Sequence, residues 1–472
     1  MKINSKILFP LLLLGLFSAC LPGRMTWSSR GTASVSGGGA EGGNSGGQGG
    51  DSGGGTFTPN GGGFGNNGKV VYGVSQRDLS STGVEILPDG HIVIAVNLSR
   101  GSDKRCGAVM LNSDGSLDTT FGGQGNGFFW FDLTLIGSRA CAFNAVLVQG
   151  DKTVLGGWSD QGPEGNGHQF LFIRLTRQGT MDVSFGLNGS GALCVVGGAS
   201  NFDMRAMHFD HMGDIVAAGS AAQEGQAASI SLGRLSSNGL PDVEFGPNRT
   251  GFFVVDLGVS SAKVNALTMF VPQPAQPVFY IAGTATSGGS LAFIYAFDYN
   301  SNGPLNGFSI NSGVDGLALY NTFPEAKDIA IQDIDGANRY LAFTGRQGPS
   351  NSYLARAQFD SGAIDANFGG QGFVSIEPND PSDTLSSVAL RVDGPAHSFT
   401  LLLNETNSKK MVLARFEKSG AVNFSFGSSG RKSFDPAEIS SAFSLGPNNF
   451  FITGQDIADP TNFFVRKVST GN

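Results

Sequence analysis

Charge is scarce in this chain: Asp, Glu, Lys and Arg together make up 14% of residues. That excludes a charge-rich disordered protein and a coiled coil. Ala, Leu, Glu and Lys do not dominate, which argues against a helical bundle. A basic excess is missing too. Thirty Lys and Arg against 38 Asp and Glu leave a net charge of −8, the opposite of the basic face a nucleic-acid binder presents. No HExxH, Gly-x-Ser-x-Gly or P-loop motif occurs, and the sequence holds five histidines. What is abundant is glycine, 72 of 472 residues or about 15%, roughly twice the usual share of about 7%. Length alone suggests about three domains of roughly 150 residues, a prior that internal repeats override.

The N-terminus reads as a targeting segment, residues 1–19. Lys2 and Lys6 precede an apolar run from Ile7 to Phe17, too short for the roughly 20 residues of a spanning helix and ended by small residues, as in a signal peptide. The ending Phe17-Ser18-Ala19-Cys20 resembles a bacterial lipobox. That resemblance implies cleavage before Cys20 and diacylation of its thiol, giving an anchor strong enough to hold the protein on a membrane. Leu21, where Asp would favour the inner membrane, implies the outer membrane. Phe17 stands where Leu is usual, which leaves ordinary secretion open. Residues 20–63 are dominated by Gly, Ser, Asn and Thr, and such composition cannot offset the entropy of ordering. A flexible tether of this kind has a root-mean-square reach on the order of 35–40 Å.

From Phe64 to the end, one unit recurs. Phe-Gly stands at residues 64, 121, 185, 245, 368 and 426, and Leu305-Asn306-Gly307-Phe308 fills the single long gap, with Asn306 read in the place of Asp. Upstream of the motif lie a Gly turn and an acidic residue, as in Gln178-Gly179-Thr180-Met181-Asp182. Upstream again is a strand ending in a basic-apolar pair, as in Ile173-Arg174-Leu175. These residues resemble the bacterial delta-60 repeat, a β-propeller-like unit found in lipoproteins. Short Val-, Ile-, Phe- and Leu-rich strands punctuated by Gly turns read as all-β, and four strands per unit of about 60 residues is the size of a propeller blade. The chain begins its repeats with a last strand, around Lys69–Tyr72, and ends one strand short, at Phe463–Val468. Joined, the two fragments make one blade, so residues 64–472 are expected to form a seven-bladed β-propeller. Its four-stranded blades would be closed by an N-terminal strand that leaves no free edge.

Little in the sequence points to chemistry. The repeated Asp-Gly loops resemble calcium loops, but Arg177, Gln178 and Lys418 stand where oxygen ligands would be needed, so no metal and no cofactor is expected. His208 and His211 are expected at an exposed hairpin turn. Cys106 and Cys141 fall at the same face of neighbouring blades and are a candidate disulfide, leaving Cys194 as a buried free thiol. Aligned copies place Gly83, Asn144, Arg205, Asn265, Asp328, Ser387 and Ser441 at one position of the innermost strand. This polar, unequal ring makes Asn144, Arg205, Asn265 and Asp328 the candidate ligand-binding residues at one channel mouth. The expected function is a monomeric, lipid-anchored, non-enzymatic binding or adhesion module for a cell-surface glycan, an envelope protein or a matrix component. It would act at the outer membrane, with no role in nucleic-acid binding. The alternatives are a propeller lyase or hydrolase, which would need a channel histidine or a metal-binding carboxylate cluster, and an envelope scaffold.

Overall fold

The computed structural model describes residues 64–470 apart from 66, 75–77, 102, 124, 161–166, 196–200, 223–227, 248, 272–276, 435–437 and 447–448. The targeting segment, the tether and Cys20 therefore lie outside the described residues.

Seven antiparallel sheets form the blades of a β-propeller. Blade 1 runs from its inner strand Asp78–Ile86 outward through Ile92–Arg100 and Asp103–Leu111 to Phe128–Trp130. Blades 2, 3, 5 and 6 repeat the pattern from inner strands Cys141–Gln149, Asn201–Phe209, Asp328–Asp333 and Leu385–Asp393. Blade 4 begins at Ser261–Phe270 and carries a fifth, two-residue strand, Gly303–Pro304, besides its outer strand Leu317–Tyr320. Blade 7 takes Glu438–Leu445, Asn449–Asp456 and Asn462–Ser469 from the C-terminal end, and Lys69–Gly73 completes it, with Lys69 opposite Arg466 and Tyr72 opposite Phe463. The composite blade is thus as expected.

The middle strands are packed on both faces by neighbouring blades, so they read as continuous apolar runs; Ile92–Val96 and Phe170–Ile173 are at most 1% exposed. Inner strands alternate instead, because one face looks into the central channel. The Phe-Gly motif staples each blade to the next. A Cβ on Gly179 would lie 2.7 Å from Phe121, one on Gly239 2.5 Å from Phe185, and one on Gly420 3.0 Å from Phe368. These turn glycines also have positive φ, so both the conformation and the close approach require glycine there. The amide after each of these three Phe donates into the same turn: Gly122 to Gln178 O at 2.9 Å, Gly186 to Asn238 O at 2.8 Å and Gly369 to Ser419 O at 3.1 Å.

The recurring Arg and Asp meet as buried ion pairs within a blade: Arg174 with Asp182 (2.7 Å), Arg234 with Asp242, and Arg356 with Asp365 (2.5 Å). The residue at the end of the inner strand completes each site: Gln149 for Arg174, Asp210 for Arg234 and Gln332 for Arg356. Each motif carboxylate also caps its own turn, as Asp182 does for the Ser184 amide. Where Asp gives way to Asn423, Arg415 turns to Asp393 at 2.9 Å.

Blade 4 requires a correction. The backbone bond that runs from Asp182 N to Arg174 O in blade 2 runs from Leu305 N to Ala296 O in blade 4. Leu305, not Asn306, therefore stands in the Asp position, and Ala296 in the Arg position. Both charges are gone together, the outcome expected when a buried ion pair is replaced by apolar side chains rather than halved.

Candidate functional site

Inner strands enter the channel through a β-bulge. Register shifts occur between Ser81 and Gly83, Phe143 and Ala145, Met204 and Ala206, Val264 and Ala266, Ser387 and Ala389, and Ser440 and Ala442. In blade 5 the Lys327 amide donates 2.6 Å to Thr344 O, the residue that Asp328 faces, so Lys327 takes the bulge position. The equivalent ring is thus Thr82, Asn144, Arg205, Asn265, Lys327, Val388 and Ser441. Three members of the expected ring are out of register: Gly83 and Asp328 lie one residue past the bulge, and Ser387 one before it. Ser387 is 1% exposed and bonds to Thr344 at 2.7 Å, away from the channel. At a bulge two successive residues face the same side, so Gly83 and Asp328 still line the channel while Ser387 does not, and nothing in these copies marks which residue is the extra one.

Asn144, Arg205, Asn265 and Asp328 all line the central cavity, which has a volume of 710 Å³. They do different things there. Asn144 Nδ2 donates to Met204 O at 2.6 Å, and Asn265 Nδ2 to Ala326 O at 2.8 Å. Thr82 reaches Phe143 O at 2.6 Å, and Ser441 reaches Ser81 O at 2.5 Å. In all four, the bulge side chain clasps the carbonyl just before the next blade's bulge. Asn97 and Asn404 add a two-way clasp: each donates to the carbonyl and accepts from the amide of one residue in the next blade, Phe143 and Ser440 respectively. Asn144 and Asn265 are therefore committed to holding blades together.

The bulge residues without such a clasp are Arg205, Lys327 and Val388. Arg205 pairs with Asp203 at 2.5 Å. Lys327 points into the mouth beside Lys263. The residue is exposed at the mouth, yet desolvation by the surrounding channel walls, and then repulsion from Lys263 and Arg205, hold its amine below the ordinary lysine range, although Glu325 and Asp328 pull the other way. Among the described residues, neither Lys263 nor Lys327 has an ion-pair partner within 4 Å. Asp328 accepts from the Leu390 amide at 2.7 Å and lies 3.3 Å from Arg391 Nη1; burial raises its carboxyl nonetheless.

Three residues beyond the bulge lies a deeper ring that sequence reasoning did not assign to the channel. It includes Glu85, His208, Arg391 and Ser444. Glu85 accepts a 3.0 Å bond from Ser444, and its carboxyl is raised by burial. His208 lies in the channel wall and not at an exposed turn, correcting that expectation. Burial lowers its imidazole, and its Nδ1 lies 2.5 Å from Phe209 O. Arg391 donates to Leu390 O and Phe443 O and lies 4.9 Å over the Phe443 ring. A carboxyl biased towards its acid form and an imidazole biased towards its base form are groups suited to proton transfer. The strand alternation that carries His208 here continues unbroken from the bulge; locating the bulge is what would have found it.

On the outside of this region, Cys106 and Cys141 form a disulfide with Cα atoms 5.5 Å apart, tying blade 1 to blade 2. Cys194, 1% exposed, is not the expected free thiol: it too is disulfide-bonded.

Solved structures similar to this chain include Sqt1 from Chaetomium thermophilum, at 12% identity over 84% of this chain and 97% of that one, with a TM-score of 0.42. Prolyl oligopeptidase B from Galerina marginata is 11% identical over 84% of this chain and 52% of that one, with a TM-score of 0.41. The polysaccharide lyase Uly1 is 9% identical over 82% and 89%, with a TM-score of 0.44. No curated protein matches the chain in sequence. A family model described as "Domain of unknown function (DUF5122) beta-propeller" matches residues 87–121, a short region that fits a β-propeller repeat family.

Proposed function

We propose that this protein is a binding module of the delta-60 repeat kind, in which the channel mouth formed by blades 3, 4 and 5 receives a cell-surface glycan or an envelope component. The observation that carries the proposal is the unequal mouth: four of seven bulge side chains clasp neighbouring blades, while Arg205 and Lys327 face a cavity of the size that small ligands occupy. The test is capture of ligands from glycan arrays and envelope extracts by the full chain, with Arg205→Ala beside it. Loss of a captured ligand with a retained melting temperature supports the mouth; equal capture by the variant refutes it.

The second reading is a propeller lyase or hydrolase. It is favoured by His208 and Glu85 in the channel wall, because a channel histidine is what such an enzyme needs. Release of unsaturated or reducing ends from a glycan, abolished in His208→Ala, would decide for it.

The proposal includes a lipid anchor on Cys20 that holds the propeller at the outer membrane. Mass spectrometry of the mature N-terminal peptide tests the anchor directly. A diacylglyceryl adduct on Cys20 supports it. A mature N-terminal peptide without lipid on Cys20 refutes it.

A further inference from the structure

We infer that the mouth recognises an acidic glycan, whose carboxylate or sulfate groups dock on Lys263, Lys327 and Arg205. This rests on the reading of the channel mouth as a binding site and names the ligand class for it.

Three neighbouring inner strands, Asn201–Phe209, Ser261–Phe270 and the one opening at Asp328, bring the three cations to one side of the opening. The surrounding protein carries a net charge of −8, so a cluster of this sign runs against its background. Among the described residues the two lysines have no ion-pair partner within 4 Å. Arg205 is paired with Asp203, but its Nε is buried without a hydrogen-bond partner. Glu325 and Asp328 act on Lys327 from a distance, and Asp328 is itself engaged by Arg391. Lys263 and Lys327 repel each other, and an incoming anion relieves that repulsion while gaining an attraction to both and to Arg205.

Around the cations, Thr82, Asn144, Asn265 and Ser441 line the mouth with their donor groups taken up by the clasps between blades. Among the described wall residues the aromatic rings are the His208 imidazole and Phe443, and the latter lies under the Arg391 guanidinium. The opening thus combines three cations with aliphatic side chains such as Val388, Val146 and Leu267, which match the acid groups and the C–H faces of an acidic sugar.

The experiment is titration calorimetry of the full chain with hexagalacturonate, a sulfated galactan hexamer, fully methyl-esterified hexagalacturonate and an acidic peptide hexamer, each at low and physiological salt. Binding of either acidic sugar is expected, weakened by salt, and reduced about tenfold by Lys263→Ala and again by Lys327→Met, with unchanged melting temperatures. Which acidic sugar binds tells carboxylate from sulfate. In the same complex, side-chain NMR should show the Lys327 amine titrating at higher pH than in the free protein, a readout that general destabilisation would not produce. Equal affinity for the methyl ester, untouched by the lysine variants but lost in Arg205→Ala, overturns the acidic class and leaves the binding-module reading standing. Preference for the acidic peptide overturns the glycan. Failure of all four sugars and peptides to bind, while a ligand captured from extracts is still lost in Arg205→Ala, overturns this inference alone; if no captured ligand depends on Arg205, both readings fall.

Discussion

Blade 5 offers a direct measurement of what the repeated ion pair does. Arg356 and Asp365 are buried, at 8% and 4% exposure, and Arg356 Nη1 also donates to Gln332 Oε1 and Lys418 O, both at 3.0 Å. Its guanidinium lies 4.1 Å from the Tyr340 ring and 4.7 Å from that of Phe368. Arg356→Met keeps most of the apolar stem between those rings but strands the Asp365 carboxylate and two acceptors. The expected cost is about 3–5 kcal/mol, that of breaking one side of a buried pair. Asp365→Leu alone strands the guanidinium and should cost a similar amount. The double variant reproduces the apolar character that blade 4 already has at Ala296 and Leu305. It should be less damaging than either single change, at about 1–3 kcal/mol, the remainder being the lost turn bond to the Asn367 amide and the two orphaned acceptors. The assay is a double-mutant cycle in urea, followed by circular dichroism. If the double variant costs the sum of the singles within about 0.5 kcal/mol, the two side chains are uncoupled and the account of the repeat is wrong.

The Cys106–Cys141 bond closes a separation of 35 residues, so the Cys106→Ala/Cys141→Ala protein should lose about 4 kcal/mol on the chain-entropy estimate, read as a lower urea midpoint. Asn144→Ala should cost about 1–2 kcal/mol by orphaning the Met204 carbonyl yet leave acidic-glycan affinity unchanged, whereas Lys327→Met should do the reverse; a swap of these outcomes would reverse the assignment of clasp and ligand residues. Glu85 has its folded carboxyl raised by burial, so ionised Glu85 costs stability at neutral pH and that cost fades as pH falls through the raised value. Glu85→Gln should therefore raise the urea midpoint at pH 7.5, with a gain that shrinks towards pH 4; a pH-independent gain would rule titration out. Asp89 and Asp383 behave oppositely. Despite some burial, bonds from Arg177 and His91 hold Asp89 at about 2, and bonds from Ser408, Asn407 and Thr384 hold Asp383 at about 2. Their contribution is present above the unfolded carboxylate range and lost as pH falls from about 4 towards 2, so the wild type should show an acid-induced loss of stability in that interval.

The ring, its blade number and its composite closure were legible because each rests on many copies: a Phe-Gly corner misread in one repeat is corrected by six others. The same redundancy did not help at the mouth. Thr82, Asn144, Arg205, Asn265, Lys327, Val388 and Ser441 share a backbone position and almost no chemistry, so counting along the copies slipped by one residue in three blades. The Arg–Asp partnership was likewise visible only as two separate recurrences. A turn carboxylate explains itself locally, and its second partner, eight or nine residues upstream on a neighbouring strand, becomes apparent through the strand pairing. His208 was misplaced for the first of these reasons: without the bulge, its distance from the turn looked shorter than its distance into the channel.

The staple between blades points one way round the ring. Phe121 reaches into blade 2, Phe185 into blade 3 and Phe368 into blade 6, never the reverse. Each blade therefore joins its neighbour head to tail, through unlike surfaces, and such a joint extends indefinitely unless its rotation returns to the start. Nothing chemical in any one joint counts to seven; that number is set by the angle the side chains impose. Duplication or loss of a whole sixty-residue unit would leave every joint intact in kind and strain only the angle, while a change confined to a single pair, as in blade 4, stays local. The architecture separates the question of how many blades from the question of what each blade contains, and it leaves the mouth free to differ from one sector to the next.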